Sequence, residues 1–193
     1  MKATDILVEE HGVIQRVLAT LEIAAQRTEQ GQPLHADFFM DAADFIKGFA
    51  DGCHHKKEEG VLFKAMVAHG MPAESGPIGV MLAEHEQGRV YTRAMREAAQ
   101  KLKAGDETAR QALVLNARGY ASLLRQHIAK ENDILFPMAN RVIPRAEYDQ
   151  VDEGFEHVEH EETGAGVHEK YLALAERLRN EAFGLPEFNL SDL

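Results

Sequence analysis

Two stretches of this sequence repeat one another. Residues 54–63 read HHKKEEGVLF and residues 127–136 read HIAKENDILF, so His-x-x-Lys-Glu followed by Leu-Phe recurs at one offset. In each copy a histidine precedes a glutamate by four residues, giving His54/Glu58 and His127/Glu131. On a helix that spacing puts imidazole and carboxylate on the same face, one turn apart. A single copy reads as a surface ion pair. Two register-matched copies on separate helices point inward instead, and four polar side chains buried without partners would be costly. A pair of metal ions satisfies them, with the imidazoles as terminal ligands and Glu58 and Glu131 as bridges. His55/Glu59 has the same spacing one residue round the helix, but its matched column is Ile128/Asn132. The internal match therefore selects His54/Glu58 and leaves His55 as a solvated residue or one that supports a ligand from behind.

Two further histidines interrupt apolar helical stripes. His11 lies on the line Leu7, His11, Ile14, Leu18, Leu21, and His85 on the line Met81, His85, Gly88, Met95, Leu102. Together the candidates are His11, His54, Glu58, His85, His127 and Glu131. Four nitrogens and two carboxylates suit iron, manganese or zinc, and two bridging carboxylates fit two adjacent cations better than one tetrahedral zinc. Iron adds a function, because an open coordination position on it can take dioxygen, peroxide or nitric oxide.

Helices must position these residues, and the chain is patterned for them. Apolar positions recur at intervals of three, four and seven. The spacing predicts helices over about Thr4–Arg27, Ala36–Ala68, Ile78–Leu102 and Glu107–Pro137, separated by Gly- and Pro-bearing breaks. Gly48, Gly52 and Gly60 weaken the second, which needs tertiary contacts or ligands to justify its length. A further helix is expected over Tyr148–Asn180, with a line of Phe155, Val158, Ala165, Leu172 and Ala175 to pack on the bundle or on another subunit. Strand alternation is almost absent. The reading is an all-α, antiparallel up-down four-helix bundle with an additional C-terminal helix: residues 1–145 form the metal-binding bundle, 146–181 the packed helix and 182–193 a tail.

Composition narrows the classes. A length of 193 residues allows one domain with a real core. The single cysteine, Cys53, excludes an intrachain disulfide framework and a multi-cysteine zinc or iron–sulfur site. The formal charge of −11, without a basic stripe, argues against nucleic acid. The first residues lack a secretory pattern and no run of 18 apolar residues occurs, so no membrane is expected and cytoplasmic residence is the default.

The texts EEHGVI around His11, HHKKEEGVLF, EHEQGR around His85, and HIAKENDILFPMA arrive in the order of the hemerythrin-like, or histidine/glutamate cation-binding (HHE), family, which residues 3–140 resemble. The resemblance implies a four-helix bundle around a non-haem diiron centre (Fe2+/Fe3+, with a bridging oxo, hydroxo or water ligand), held by His11, His54, Glu58, His85, His127 and Glu131. Oxygen-carrying members use a fifth histidine, four residues from another on the third helix; here Met81 and Arg89 occupy the positions four before and four after His85. The acidic ligand of the fourth helix takes the form His127-x-x-x-Glu131. These departures weigh against a pure oxygen carrier and leave open or water-filled positions, or a donor from elsewhere. His157, Glu159, His160, Glu162 and His168 of the last helix could supply one, although cap packing or a solvated acidic face is the more ordinary role. Tyr120 faces the same way as His127 and could hydrogen-bond a ligand. Cys53 and the methionines read as core filler.

The leading expectation is a diiron protein that binds or senses dioxygen, nitric oxide or peroxide. The alternatives are a redox enzyme (peroxide or nitric oxide reduction, or iron–sulfur cluster repair), which needs an electron donor, and iron storage or donation.

Overall fold

The computed structural model describes residues 3–35, 37–164 and 166–184, and the side chain of Glu162 is not among what it describes. Four long helices form the bundle: α1 (Ala3–Glu29), α2 (38–68), α3 (Gly76–Lys103) and α4 (107–142). The third begins at Gly76, two residues before the sequence-based start, because Pro77 falls in a first turn where no amide donor is needed. The fourth runs on to Val142 through Pro137, which sits in the first turn after a locally widened stretch.

The expected single C-terminal helix is two, α5 (148–163) and α6 (Val167–Phe183). Gly164 and Gly166 break it, with φ of 102° and 77°, a backbone region that suits glycine. The line through Ala165 falls on a residue outside those described, as does the tail from residue 185. α6 lies against α1 and α2, and α5 against the site-bearing part of α2. Gly154 permits that approach: a Cβ there would stand 2.7 Å from Val61 Cγ1. The weak glycines of α2 are compensated from the same side. The Tyr171 ring of α6 covers Gly48, and Thr163 Oγ1 donates to the Gly52 carbonyl at 3.3 Å.

The core has two apolar layers along the bundle axis. One includes Ile14, Leu18, Phe45, Phe49, Met95, Leu124 and Ile128; the other includes Leu7, Leu62, Phe63, Met81, Leu135 and Phe136. Between them lies a fully buried polar layer. Burying apolar surface above and below it is what holds the helices together around groups that water would otherwise solvate. Among the described residues no helix is long and apolar enough to cross a membrane.

Candidate metal centre

The polar layer is built where α2 and α4 depart from α-helical hydrogen bonding. Ile46–His55, Glu58–Leu62 and Glu131–Leu135 are π-helical. The last two are the same five positions of the sequence repeat, so the repeat extends to backbone geometry. An i→i+5 turn holds an extra residue, so successive side chains rotate less about the axis, and such turns often mark functional sites.

All six sequence-predicted residues reach this layer. His11, His54, His85 and His127 are each 1% exposed, and Glu58 and Glu131 are 0% exposed. The structure adds a seventh: His55, 2% exposed, stacks on His85 with ring centroids 3.8 Å apart. The expectation that His55 is solvated or supports from behind is therefore corrected. The widened turn brings adjacent residues inward together, which an α-helical period does not allow. His55 brings a fifth imidazole to the layer, so the departure at Met81 and Arg89 does not leave the layer one histidine short.

The donor atoms form two groups that share Glu58. His11, His54, Glu58 and Glu131 make one, and His55, Glu58, His85 and His127 the other, with ligand atoms in each within 4.8 Å of one another. Each carboxylate faces both ways. Glu58 Oε1 is 3.5 Å from His54 Nε2 and its Oε2 3.4 Å from His85 Nε2. Glu131 Oε2 is 3.1 Å from His11 Nε2 and its Oε1 3.1 Å from His127 Nε2. This is the arrangement a carboxylate-bridged pair of cations requires.

Every imidazole is held from behind through Nδ1. His11 meets Asn132 Oδ1 at 2.9 Å, His54 meets Glu10 at 2.9 Å and His55 meets Asp51 at 2.9 Å. His85 meets Glu59 at 2.7 Å and His127 meets Glu84 at 2.9 Å. Acceptors at Nδ1 place the proton there and turn the Nε2 lone pair to the centre, the tautomer of a metal ligand. The consequence is visible between His85 and His127, whose Nε2 atoms stand 3.0 Å apart; two lone pairs at that distance need a proton or a cation between them.

The chain's own hydrogen bonds leave the centre unsatisfied. His11 Nε2, His55 Nε2 and all four oxygens of Glu58 and Glu131 are buried without a hydrogen-bond partner; the close approaches just given are not aligned as hydrogen bonds. Burial and the neighbouring Glu131 push the Glu58 carboxyl well above the carboxylate range. Burial opposes charge on Glu131 too, but His11 and His127 outweigh it and hold its pKa low. Burial pushes His54 down to about 4 and His55 well below its ordinary value. Against burial, Glu131 and Glu84 raise His127. Buried imidazoles with Nε2 turned inward and orphaned carboxylate oxygens are the donor set of a cation site, and they fit two ions.

The two helix pairs carry matching parts. Glu10-His11 of α1 corresponds to Glu84-His85 of α3. Lys57 pairs with Glu10 Oε1 at 2.6 Å, and Lys130 pairs with Glu84. Glu59 orients His85 as Asn132 orients His11. Phe63 stacks on His85, centroids 6.2 Å apart, as Phe136 stacks on His11 at 5.4 Å. The Lys–Glu and Leu–Phe matches of the repeat, and the glutamate before each lone histidine, were the signals for these supporting residues. The match breaks at His55, whose counterpart Ile128 is apolar.

Arg89 stands one turn after His85 on α3. It contacts Asp51 at 3.4 Å and Glu59 at 2.8 Å, the two acids behind His55 and His85. Burial nevertheless lifts Asp51 to about 6, against the pull of Arg89.

None of the C-terminal candidates is a donor to this layer among the described side chains. Glu159 pairs with Lys57 at 2.9 Å, His168 packs 5.3 Å from the Phe49 ring, His157 and His160 are exposed, and the Glu162 side chain lies outside the described residues. Tyr120 is buried, with its hydroxyl lacking a hydrogen-bond partner. Cys53 is a protonated core thiol, pushed up to about 11 by burial and Glu10.

The model of the Hemerythrin HHE cation binding domain matches residues 2–139. Uncharacterized proteins of Mycobacterium bovis and of two Mycobacterium tuberculosis strains are each 27% identical over 162 residues, which is 84% of this chain. The chain spans 63% of the length of these curated relatives. No solved structure matches. With the bundle, the convergent histidines and glutamates and the matched span in agreement, the chain belongs to the hemerythrin HHE cation-binding family.

Proposed function

We propose that the centre holds two iron ions and that the protein binds or senses dioxygen, nitric oxide or peroxide there. The observation that carries this is the donor set: five Nε2 atoms aimed at one buried layer, with Glu58 and Glu131 each presenting one oxygen to either half. His11 and His54 would hold one ion and His55, His85 and His127 the other, with both carboxylates shared. A ferrous pair would supply reducing electrons and open coordination positions for a small ligand. The chain's part is to fix the donors and to exclude water. The four carboxylates and the Asn132 amide behind Nδ1 keep the rings from turning, and Phe63 and Phe136 wall two of them. The His11/His54 half has one imidazole fewer, so it is the half with more room for an external ligand.

The test is metal analysis of anaerobically purified protein, with optical spectra before and after dioxygen, nitric oxide or peroxide. Two irons per chain and near-ultraviolet charge-transfer bands after oxygen are expected. Both should disappear in Glu58→Gln and Glu131→Gln. Stoichiometric zinc without iron, or retention of both irons in these variants, would overturn the reading. Turnover with a reductant, or transfer of iron to an apo-acceptor, would instead favour an enzyme or a donor.

A further inference from the structure

The two halves of the centre are backed by the same chain of charges, except at one end. On α4 the chain is Lys130–Glu84–His127, and the Lys130 side chain is 36% exposed. On α2 it is Lys57–Glu10–His54, and the Lys57 side chain is 0% exposed. What covers Lys57 is α5, outside the matched family span. Its Glu159 Oε2 lies 2.9 Å from Lys57 Nζ, Lys57 Nζ lies 2.6 Å from Glu10 Oε1, and Glu10 Oε2 lies 2.9 Å from His54 Nδ1. Glu10, Cys53 and Glu159 could themselves resemble a small cation site, but the Lys57 ammonium already pairs with both carboxylates.

We propose that Glu159 is a positioning residue for His54, through which the C-terminal helices make the two metal positions inequivalent; this rests on the two-metal reading above. The physical reason is sharing. In a buried setting, where charge–charge interaction is stronger than in water, Lys57 divides its donors between two carboxylates. Glu159 thereby leaves Glu10 a stronger acceptor for the His54 Nδ1–H, and a stronger acceptor there makes Nε2 a better donor to a metal. The latch is held in place by Thr163 on the Gly52 carbonyl and by Val61 against Gly154. His127 has Lys130 open to solvent instead, so the same device is absent from its half.

The experiment compares the full chain with Glu159→Gln and with Glu156→Gln, an exposed acid of the same helix. In metal-free protein, nitrogen-edited NMR of the ring Nδ1–H protons should move the His54 resonance in Glu159→Gln and leave that of His127 in place. In anaerobic Fe(II) titration against a competing chelator, one of the two binding steps should weaken about tenfold, the lower end of what loss of a supporting partner does, and the other should hold. Glu156→Gln should change neither. An unmoved His54 resonance, or equal weakening of both steps, would overturn the proposal and leave Glu159 as a packing latch. Failure of the unaltered protein to take up two Fe(II) would be a failure of the metal reading, and the metal-free resonance would still judge the relay.

Discussion

His55→Ile places at position 55 the residue found at its counterpart, Ile128, and the structure gives its effect opposite signs in the two states of the protein. Without metal, His55 is a buried imidazole with an unpartnered Nε2. Removing such a group relieves about 1–3 kcal/mol. Against this, Asp51 loses its 2.9 Å contact and keeps Arg89 at 3.4 Å, a loss of about 1 kcal/mol. The metal-free variant should be as stable as the parent or up to about 2 kcal/mol more so. With metal, one of three imidazoles on its half is gone. Supporting partners alone are worth about 10–100-fold in affinity, so a ligand should exceed a hundredfold, or roughly 2.7 kcal/mol of metal-linked stability. Chemical unfolding with and without Fe(II), together with iron per chain, reads both signs. Two irons bound as in the parent, or a metal-free variant destabilised as much as the loaded one, would refute His55 as a ligand.

Two further outcomes follow from the same geometry. Because burial and Glu131 raise the Glu58 carboxyl well above its ordinary value, Glu131 and Glu84 raise His127, and a metal binds only the deprotonated groups, loading under mildly acidic conditions should release protons from both. Affinity should therefore rise with pH, and calorimetry in buffers of different ionisation enthalpy measures the count. Gly154→Ala should lower the melting temperature although alanine favours a helix by about 1 kcal/mol, because the added Cβ would stand 2.7 Å from Val61 and overpacking costs about 1–3 kcal/mol; a more stable variant would contradict the close approach of α5 to α2.

The sequence made the bundle and six of the seven inward donors legible because their signals are periodic. His54/Glu58 and His127/Glu131 sit in a repeat, and His11 and His85 interrupt apolar stripes. His55 was hidden by the rule that neighbours on a helix diverge, and that rule fails where the turn is π-helical. The repeat also matches Lys57 with Lys130, which prop Glu10 and Glu84 behind His54 and His127. Nothing in the sequence shows that Lys57 stands between Glu159 and the centre, because that contact depends on how α5 packs on α2. The break between α5 and α6 was legible in Gly164 and Gly166, but the apolar line carried the helix across them.

The arrangement that makes the centre a good cation site makes it a poor piece of metal-free protein. Six buried donor atoms, on His11, His55, Glu58 and Glu131, lack hydrogen-bond partners. At even about 1 kcal/mol each they oppose a domain stability of only about 5–15 kcal/mol, and the proton on Glu58 relieves part of this alone. The π-helical stretches 46–55, 58–62 and 131–135 carry most of these groups and have no such reason to stay closed without cations. The apolar layer of α1 and α4, around Leu18, Leu21, Ala117 and Leu124, is complete in itself. Amide exchange should therefore be fast in the three stretches of the metal-free chain and slow in the apolar layer. Metal should slow the former by far more than the latter, since local opening free energies differ across one fold. Equal protection of both regions with and without metal would mean that the donors are satisfied by the protein itself.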